Sequence, residues 1–340
     1  MSSTSPKERL LRVLAKKSID RPPVICTGGM MNAAIVDVME ATGRTLPAGH
    51  SDAALMAAIS ADVHSATGFE NLGIPFCMTV EAEVLGSEID FGSLACEPKI
   101  ARENYASVRN VELRDIAGLL KSGRIATVVE AAHRLARQHP DAPVIGSLTG
   151  PVSTAASIVD PVTFLKELRK DAEGAHRVLS YVTDFLIAFA RELVDNGATI
   201  IAIGDPTATG EILGPRMFDE FAVTYLNRLI DGIHGLNAPV IVHICGKLQA
   251  VKNSIPSIHG DAISTDALVN LKLLKEEFPG LVTMGNVSTF LLESGEAEKV
   301  VRHTGQLVRD GVNIIAPACG LSTSSRLESI RAMTGTVKEG

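Results

Sequence analysis

The sequence predicts an α/β fold, a (β/α)8 TIM barrel, and three observations support this prediction. Apolar, β-prone runs alternate with helical patterns, and eight such pairs can be counted along the chain. The composition is 46% hydrophobic and only 4% aromatic, with 29 glycines, which suits parallel strands buried on both faces. No Gly-x-Gly-x-x-Gly follows a predicted strand, which disfavours the competing doubly wound open sheet.

The predicted elements begin with a helical extension. Ser5-Pro6-Lys7-Glu8 has the order of an N-cap, a first turn and a third helical position, so a helix is predicted to end near Lys17. Eight strands, each followed by a helical pattern, are predicted to begin near residues 24, 73, 144, 199, 240, 262, 281 and 312. Because no low-complexity linker divides the chain, residues 1–340 are predicted to form a single TIM-barrel domain.

Several individual segments are predicted more specifically. Asn71 to Met78 is predicted as a strand, Pro161 to about Asn196 as one helix, and Lys247 to about Ser257 as another helix. Between residues 86 and 110 the pattern is short and irregular, with Gly, Pro and Asp at intervals. This stretch is predicted to be a hairpin or excursion laid over the main domain.

Charge and cysteine content limit the class of protein. The formal net charge is -7 and the pI is about 5.7, without a Lys/Arg cluster, which argues against a nucleic-acid partner. No run reaches the length of a membrane span, and the charged N-terminus does not resemble a signal peptide. Five cysteines, an odd number, do not suggest a secreted disulfide framework. We therefore expect a reduced, cytoplasmic protein with no membrane association.

His243 and Cys245 end one apolar run, and Cys319 follows another. Residues two apart in a strand face the same way, so His243 and Cys245 form half of a zinc site. Spacing alone favours the alternative, packing, because free cysteines are often buried. The predicted topology reverses this balance, since His243 and Cys245 end strand five and Cys319 follows strand eight. In such barrels the ends of the strands carry the chemistry, and a zinc site at this rim is therefore predicted.

Two aspartates fall at the same predicted rim. Asp205 ends strand four, where it either terminates the strand or binds substrate, and its position favours a catalytic role. Asp266 ends strand six. It is either a fourth zinc ligand in the absence of substrate or the N-cap of a helix that begins at Ala267.

Five further residues are candidates for lining the pocket or binding a cofactor. Gly28 and Gly29 either let a ligand approach the backbone or turn the chain, and Met30 follows them. Cys77 and Thr149 also end predicted strands, although buried packing is the favoured explanation of Cys77. Glu81 and Glu83 alternate with apolar residues and are expected to face water.

A zinc ion held by two thiolates and one imidazole has a characteristic chemistry. It keeps a fourth position that is open or loosely held. Two negative ligands make it a poor Lewis acid for water but a good host for a thiol, which loses its proton while its sulfur stays electron-rich. The predicted site therefore suits alkyl transfer to sulfur. A closed structural zinc, with a fourth strong protein ligand, is the alternative.

The chain resembles the uroporphyrinogen decarboxylase superfamily, and within it the methylcobalamin:coenzyme M methyltransferase branch, over nearly its full length. The specific part of the resemblance is the zinc signature of His243, Cys245 and Cys319, which the decarboxylases lack. Their arginine-rich N-terminal motif is absent here. The supporting segments are Pro75 to Glu83, Thr149-Gly150-Pro151, Gly204 to Gly210, His243-Ile244-Cys245-Gly246 and Cys319-Gly320.

The resemblance implies a barrel in which Zn2+ on these three residues activates a thiol, with Asp266 near the place of an acidic residue that occupies the metal when substrate is absent. It also implies methylcobalamin, or another methylcorrinoid, as the methyl donor. Because no Asp-x-His-x-x-Gly motif occurs in the chain, the corrinoid is expected on a separate protein that docks over the barrel mouth.

The favoured function is thus methyl transfer from a corrinoid protein to a small thiol, with coenzyme M as the favoured acceptor. Tetrahydrofolate as acceptor, a methoxylated or methylamine donor, and a metal-free decarboxylase are the enzymatic alternatives, and a non-catalytic protein with a structural zinc is a further one. Association into a homo-oligomer is left open.

Overall fold

The computed structural model describes residues 4–339, and parallel strands form its centre. The strands are β1 (Leu72–Ile74), β2 (Glu88–Asp90), β3 (Lys99–Arg102), β4 (Val144–Thr149), β5 (Ile200–Gly204), β6 (Val240–Ile244), β7 (Ala262–Thr265), β8 (Thr283–Val287) and β9 (Ile314–Pro317). Seven of them pair side by side in the order β1, β4, β5, β6, β7, β8 and β9, and β2 and β3 pair separately.

The first predicted strand is reduced to a short extended segment at residues 23–25. Val24 forms an isolated parallel bridge with Ile315, and Ile25 N donates to Ile315 O at 3.0 Å. On the other side, Glu70 N donates to Val24 O at 2.8 Å. This segment therefore lies between β9 and β1 and joins the two ends of the seven-stranded sheet, so the predicted (β/α)8 barrel is confirmed.

Helices surround the strands. They are α1 (Pro6–Leu14), α2 (Val36–Thr42), α3 (Ala53–Thr67), α4 (Val80–Val84), α5 (Ile116–Leu119), α6 (Ile125–Gln138), α7 (Pro151–Ile158), α8 (Pro161–Lys170), α9 (Ala172–Asp195), α10 (Gly210–Met217), α11 (Thr224–His234), α12 (Leu271–Glu277), α13 (Thr289–Ser294), α14 (Ala297–Arg309) and α15 (Leu327–Glu339). Short 3-10 turns occupy Ala48–His50, Val108–Asn110 and Lys252–Ser257, and a π-helical turn occupies Phe218–Val223.

The strands of the barrel are buried on both faces. Every residue of β4, β5, β6, β7, β8 and β9 is buried, as expected for parallel strands covered by helices outside and by packed side chains inside. The carboxyl ends of these strands consequently meet at one rim, which is where the candidate residues of the sequence fall.

Two predicted additions to the barrel are present. The helix α1 begins at Pro6, and Ser5 caps it by accepting a hydrogen bond from Glu8 N at 3.2 Å. The excursion near residues 86–110 contains the antiparallel strands β2 and β3. The prediction of one domain over residues 1–340 extends beyond the described residues at both ends, to residues 1–3 and 340, and it stays a prediction.

Three predicted segments differ from the structure. The strand predicted to Met78 ends at Ile74, and α4 follows it. The single helix predicted from Pro161 is divided into α8 and α9 at Asp171, whose carboxylate caps α9 by accepting a hydrogen bond from Gly174 N. The helix predicted from Lys247 is only the 3-10 turn Lys252–Ser257, which contains Pro256, a residue that cannot donate to a regular helical ladder.

A buried ion network lies at the opposite end of the barrel from the rim. The Glu70 carboxylate, just before β1, accepts hydrogen bonds from Arg9 Nη1 at 2.8 Å, from Arg21 Nη2 at 2.8 Å and from Val24 N at 2.9 Å. Arg9 also pairs with Asp20. Glu70 thereby ties α1 and the closing segment to β1, a structural role typical of this end of such barrels.

No helix among residues 4–339 is long and apolar enough to cross a membrane.

Candidate metal centre

His243, Cys245 and Cys319 meet at the carboxyl-terminal rim of the barrel. His243 lies in β6, Cys245 follows that strand, and Cys319 follows β9. One ligand atom from each residue lies within 4.8 Å of the other two. His243 is buried, and the two cysteines are half-buried. The structure therefore brings together the three residues that the sequence marks as metal ligands.

The imidazole of His243 is held so that one nitrogen is free. His243 Nδ1 lies 2.9 Å from Ser264 Oγ. The Ser264 hydroxyl in turn donates to Met31 Sδ at 3.8 Å, so its oxygen accepts the Nδ1 proton. Nε2 therefore carries the lone pair, and this buried nitrogen has no hydrogen-bond partner. A buried nitrogen without a partner costs free energy unless a ligand satisfies it.

The two thiols form a coupled pair. The neighbouring Cys319 sulfur and burial raise the pKa of Cys245, whereas the neighbouring Cys245 thiol lowers the pKa of Cys319. The pair therefore favours loss of one proton over loss of the second. A divalent cation is the group that would favour loss of that second proton.

The donor set fits zinc. Two sulfurs and one imidazole nitrogen from separate strands match three of the four positions of a tetrahedral zinc site. A structural site would use a fourth strong protein ligand, and no further His, Cys, Asp or Glu joins the cluster among residues 4–339. Three protein donors and one open position are the arrangement of catalytic zinc sites.

Met30 is the candidate cofactor-binding residue that lies nearest the cluster. Its Sδ is 3.9 Å from Cys245 Sγ, and it is half-buried. An added Cβ at Gly204 would lie 3.0 Å from Met30 Cβ. Met30, in the first βα loop, therefore packs between the end of β5 and Cys245, where it forms an apolar wall of the cluster.

Gly28 and Gly29 form a turn that packs against other backbone. Both have positive φ, 93° and 58°, and Gly28 N donates to Met31 O at 3.0 Å. A Cβ on Gly28 would lie 2.8 Å from Ile74 N, and one on Gly29 would lie 2.6 Å from Ser147 Cβ. The turn that the sequence predicts as one explanation is therefore present, and the approach of a ligand to these glycines stays a prediction.

Asp205 is fully buried, and both of its oxygens bind backbone amides. Oδ1 accepts from Ser153 N at 2.7 Å, and Oδ2 accepts from Val152 N at 3.1 Å, at the start of α7. Burial raises the pKa of Asp205 to about 6 in spite of these hydrogen bonds. The side chain therefore connects the end of β5 to α7. Its charge also contributes to the raised pKa of Cys245, and its catalytic role stays a prediction.

Asp266 follows β7 but is not part of the three-residue cluster. Its Oδ1 accepts from Leu268 N at 2.9 Å, and its charge contributes to the raised pKa of Cys245. The alternative role as a cap of a helix from Ala267 is wrong, because α12 begins at Leu271 and is capped by Asn270. The role of Asp266 as a fourth ligand stays a prediction.

Cys77 and Thr149 contact polar groups other than the cluster. Cys77 Sγ accepts from Arg124 Nη1 at 3.2 Å, and Thr149 donates from both N and Oγ1 to Glu81, at 2.8 and 3.1 Å. Glu81 is buried, and this burial raises its pKa, so the expectation that it faces water is wrong. Because α4 begins at Val80, Glu81 turns inward.

Ser264 is a site residue that the sequence analysis missed. The sequence evidence for a role of Ser264 in the site is weak, because serines are common in buried strands. It could have been found by aligning consecutive strands, since Ser264 is the register partner of His243 across β6 and β7. A group that bonds the other ring nitrogen of a ligating histidine fixes its tautomer and orientation.

Replacing Ser264 by alanine is expected to weaken zinc binding by about 10- to 100-fold, because the imidazole loses the acceptor that sets its tautomer and orientation. Competition with a chromophoric chelator measures this affinity. Ser147→Ala is the matched control, since Ser147 is also buried in the barrel but bonds Thr27 O instead of a donor residue. Equal affinities for the Ser264→Ala variant and the unaltered protein would show that the hydroxyl does not position His243.

The fold and the cluster together define an α/β-barrel enzyme with sulfur and imidazole donors at its carboxyl-terminal rim. The model of the family described as uroporphyrinogen decarboxylase (URO-D) matches residues 5–340. The chain therefore belongs to the uroporphyrinogen decarboxylase family.

Within this family the chain falls with the methyltransferases. It is 31% identical to the methylcobamide:CoM methyltransferase MtbA of Methanosarcina acetivorans, over 99% of both chains. The solved structure of a methyltransferase from Methanosarcina mazei superposes with a TM-score of 0.93 at 28% identity, over 99% of both chains. A uroporphyrinogen decarboxylase of Myxococcus xanthus is 30% identical over only 41% of each chain. The predicted family branch and enzyme class, methyltransferase, are confirmed.

Proposed function

We propose that this methyltransferase transfers a methyl group from a methylcorrinoid, carried by a separate protein, to a thiol that binds a zinc ion held by His243, Cys245 and Cys319. Coenzyme M is the favoured acceptor, since the full-length relatives are named methylcobamide:CoM methyltransferases. The observation that carries the proposal is the convergence of the three donor atoms within 4.8 Å at the rim.

Each residue of the proposed site has a separate role in the reaction. A zinc ion bound here supplies a position at which an acceptor thiol loses its proton while its sulfur remains electron-rich. Cys245 and Cys319 contribute two negative charges, which keep electron density on the sulfur of the acceptor. Ser264 fixes the tautomer of His243 through Nδ1, and the Met30 thioether excludes water on one side.

Methyl transfer is then a displacement in which atoms and charge balance. The acceptor sulfur forms a bond to the methyl carbon as the bond from cobalt to carbon breaks. The electron pair of the broken bond remains on the corrinoid, which leaves as Co(I), and the product is a methyl thioether. The chain provides orientation and exclusion of water for this step, which are the main contributions that a protein makes to such a reaction.

Spectroscopy of methylcobalamin consumption, with a panel of acceptors, tests the proposal. The zinc-loaded protein is expected to demethylate methylcobalamin with coenzyme M or another small thiol, and not with tetrahydrofolate. X-ray absorption is expected to show two sulfurs around the metal, and three after the thiol is added. A coordination shell that does not change with any thiol would instead indicate a structural metal and would refute the proposal.

A further inference from the structure

The hairpin of β2 and β3, with the turn between them, lies along the rim of the barrel and ends beside the metal-site loops. Its base is next to α4 and α7, where Ser87 Oγ donates to Ser157 O at 2.8 Å. Its tip is held by the loop after β9, where Thr323 Oγ1 donates to Ala95 O at 2.9 Å. The hairpin therefore crosses from the second and third βα units to the eighth, which contributes Cys319.

A second contact holds the tip to the first βα loop. Asn32 Nδ2 donates to Glu97 Oε1 at 3.1 Å. Asn32 lies two residues from Met30, the residue in contact with Cys245. We call these two hydrogen bonds at the tip, Thr323 to Ala95 and Asn32 to Glu97, the clasp.

The hairpin is attached less firmly than its base. Its strands pair only with each other, and between residues 88 and 102 Pro98 alone is fully buried, while Ile89, Leu94 and Ile100 pack half-buried against the core. A two-stranded hairpin with so few fully buried side chains belongs to the less stable part of a protein. The base, in contrast, is well fixed, since Asn104 Nδ2 donates to Leu85 O at 3.1 Å and Tyr105 N donates to Ile158 O at 2.8 Å.

We infer that this hairpin is a movable cover of the metal centre, held closed by the clasp and able to swing about Gly86 at its base. Gly86 has φ +107°, a conformation that favours glycine. The cover serves the proposed methyl transfer, on which this role rests. A corrinoid must approach the metal centre across this rim, whereas the reaction itself benefits from exclusion of water.

Release of the clasp is the first test. The double variant Glu97→Ala, Thr323→Val removes both hydrogen bonds, and Glu97→Gln, Thr323→Ser retains both as the matched control. We expect amide hydrogen exchange of residues 88–102 to become about tenfold faster in the first variant only, as the loss of two hydrogen bonds predicts. Equal exchange in the two double variants would overturn the cover.

A reversible lock is the second test. Ala95→Cys with Thr323→Cys, in a Cys96→Ser background, places two thiols at the clasp for oxidation to a disulfide. Oxidation is expected to slow methylcobalamin demethylation at least tenfold, and a phosphine reductant, which cannot accept a methyl group as a thiol would, is expected to restore it. Full turnover in the locked protein would show that the hairpin need not open.

If the unaltered protein demethylates no methylcobalamin with any thiol, the proposed function fails, and hydrogen exchange alone decides the mobility of the hairpin.

Discussion

Replacing either Cys245 or Cys319 by alanine is expected to lower zinc affinity by more than about 100-fold and to abolish methyl transfer. The two sulfurs supply two of the three donors, and the loss of a donor costs more than the loss of a group that only orients one. Metal content after dialysis and the rate of methylcobalamin demethylation measure the two effects. Both variants are expected to remain folded, because each cysteine is half-buried at the rim and not in the barrel core.

The chain contains its own control for this experiment. Cys96 is exposed on the hairpin, so Cys96→Ser removes a thiol without touching the cluster. This variant is expected to retain its metal and its activity. Near-normal turnover of Cys245→Ala or Cys319→Ala would contradict the assigned ligands, and loss of metal from Cys96→Ser would show that the cluster is incomplete as described.

Replacing Glu70 by alanine is expected to reduce the free energy of unfolding by about 3–5 kcal/mol, since removal of one partner leaves buried charge without compensation. The Glu70 side chain is only 4% exposed, and Arg9 is only 6% exposed. Urea denaturation measures the loss. Glu130→Ala, which breaks the exposed pair with Arg134 on α6, is the control and is expected to cost less than about 1 kcal/mol. Similar losses in the two variants would mean that the network adds nothing beyond a surface pair.

The contribution of Glu70 also depends on pH. Burial raises its pKa, but Arg21, the Val24 amide and Arg9 outweigh this effect, so the pKa lies below its ordinary value. A carboxyl group with a lowered folded pKa stabilises the protein above its unfolded pKa and loses this effect as pH falls through the folded pKa. The stability difference between the unaltered protein and Glu70→Gln is therefore expected to shrink in acid. A difference that grows as pH falls would contradict the lowered pKa.

Much of the barrel could be predicted from the sequence because buried parallel strands are continuous apolar runs. The runs near residues 144, 199, 240, 262, 281 and 312 all became strands. Residues 23–25 did not, since the segment is bridged at a single residue, Val24. Its place in the ring depends on Glu70 and Ile315, which lie far away in sequence, and no local pattern indicates such partners.

The cluster was predictable for the same topological reason. His243 and Cys245 are two residues apart at a strand end, and Cys319 follows a strand that the order of elements brings to the same rim. Glu81 was not predictable, because the pattern Val80 to Val84 fits a period of two as well as one short helix. The contacts of Asp205 with α7 could not be predicted either. An aspartate at a strand end can bind substrate or cap a neighbouring helix, and the local sequence does not distinguish the two roles.

The closing segment at residues 23–25 has a consequence for folding. Its pairing partner, Ile315, lies far away in sequence, and Cys319 comes four positions after Ile315. Until that joint forms, Cys319 is not held beside His243 and Cys245, so a metal ion that needs all three donors is expected to bind poorly. A metal ion at the proposed site would therefore favour the closed ring over any state in which the joint is open.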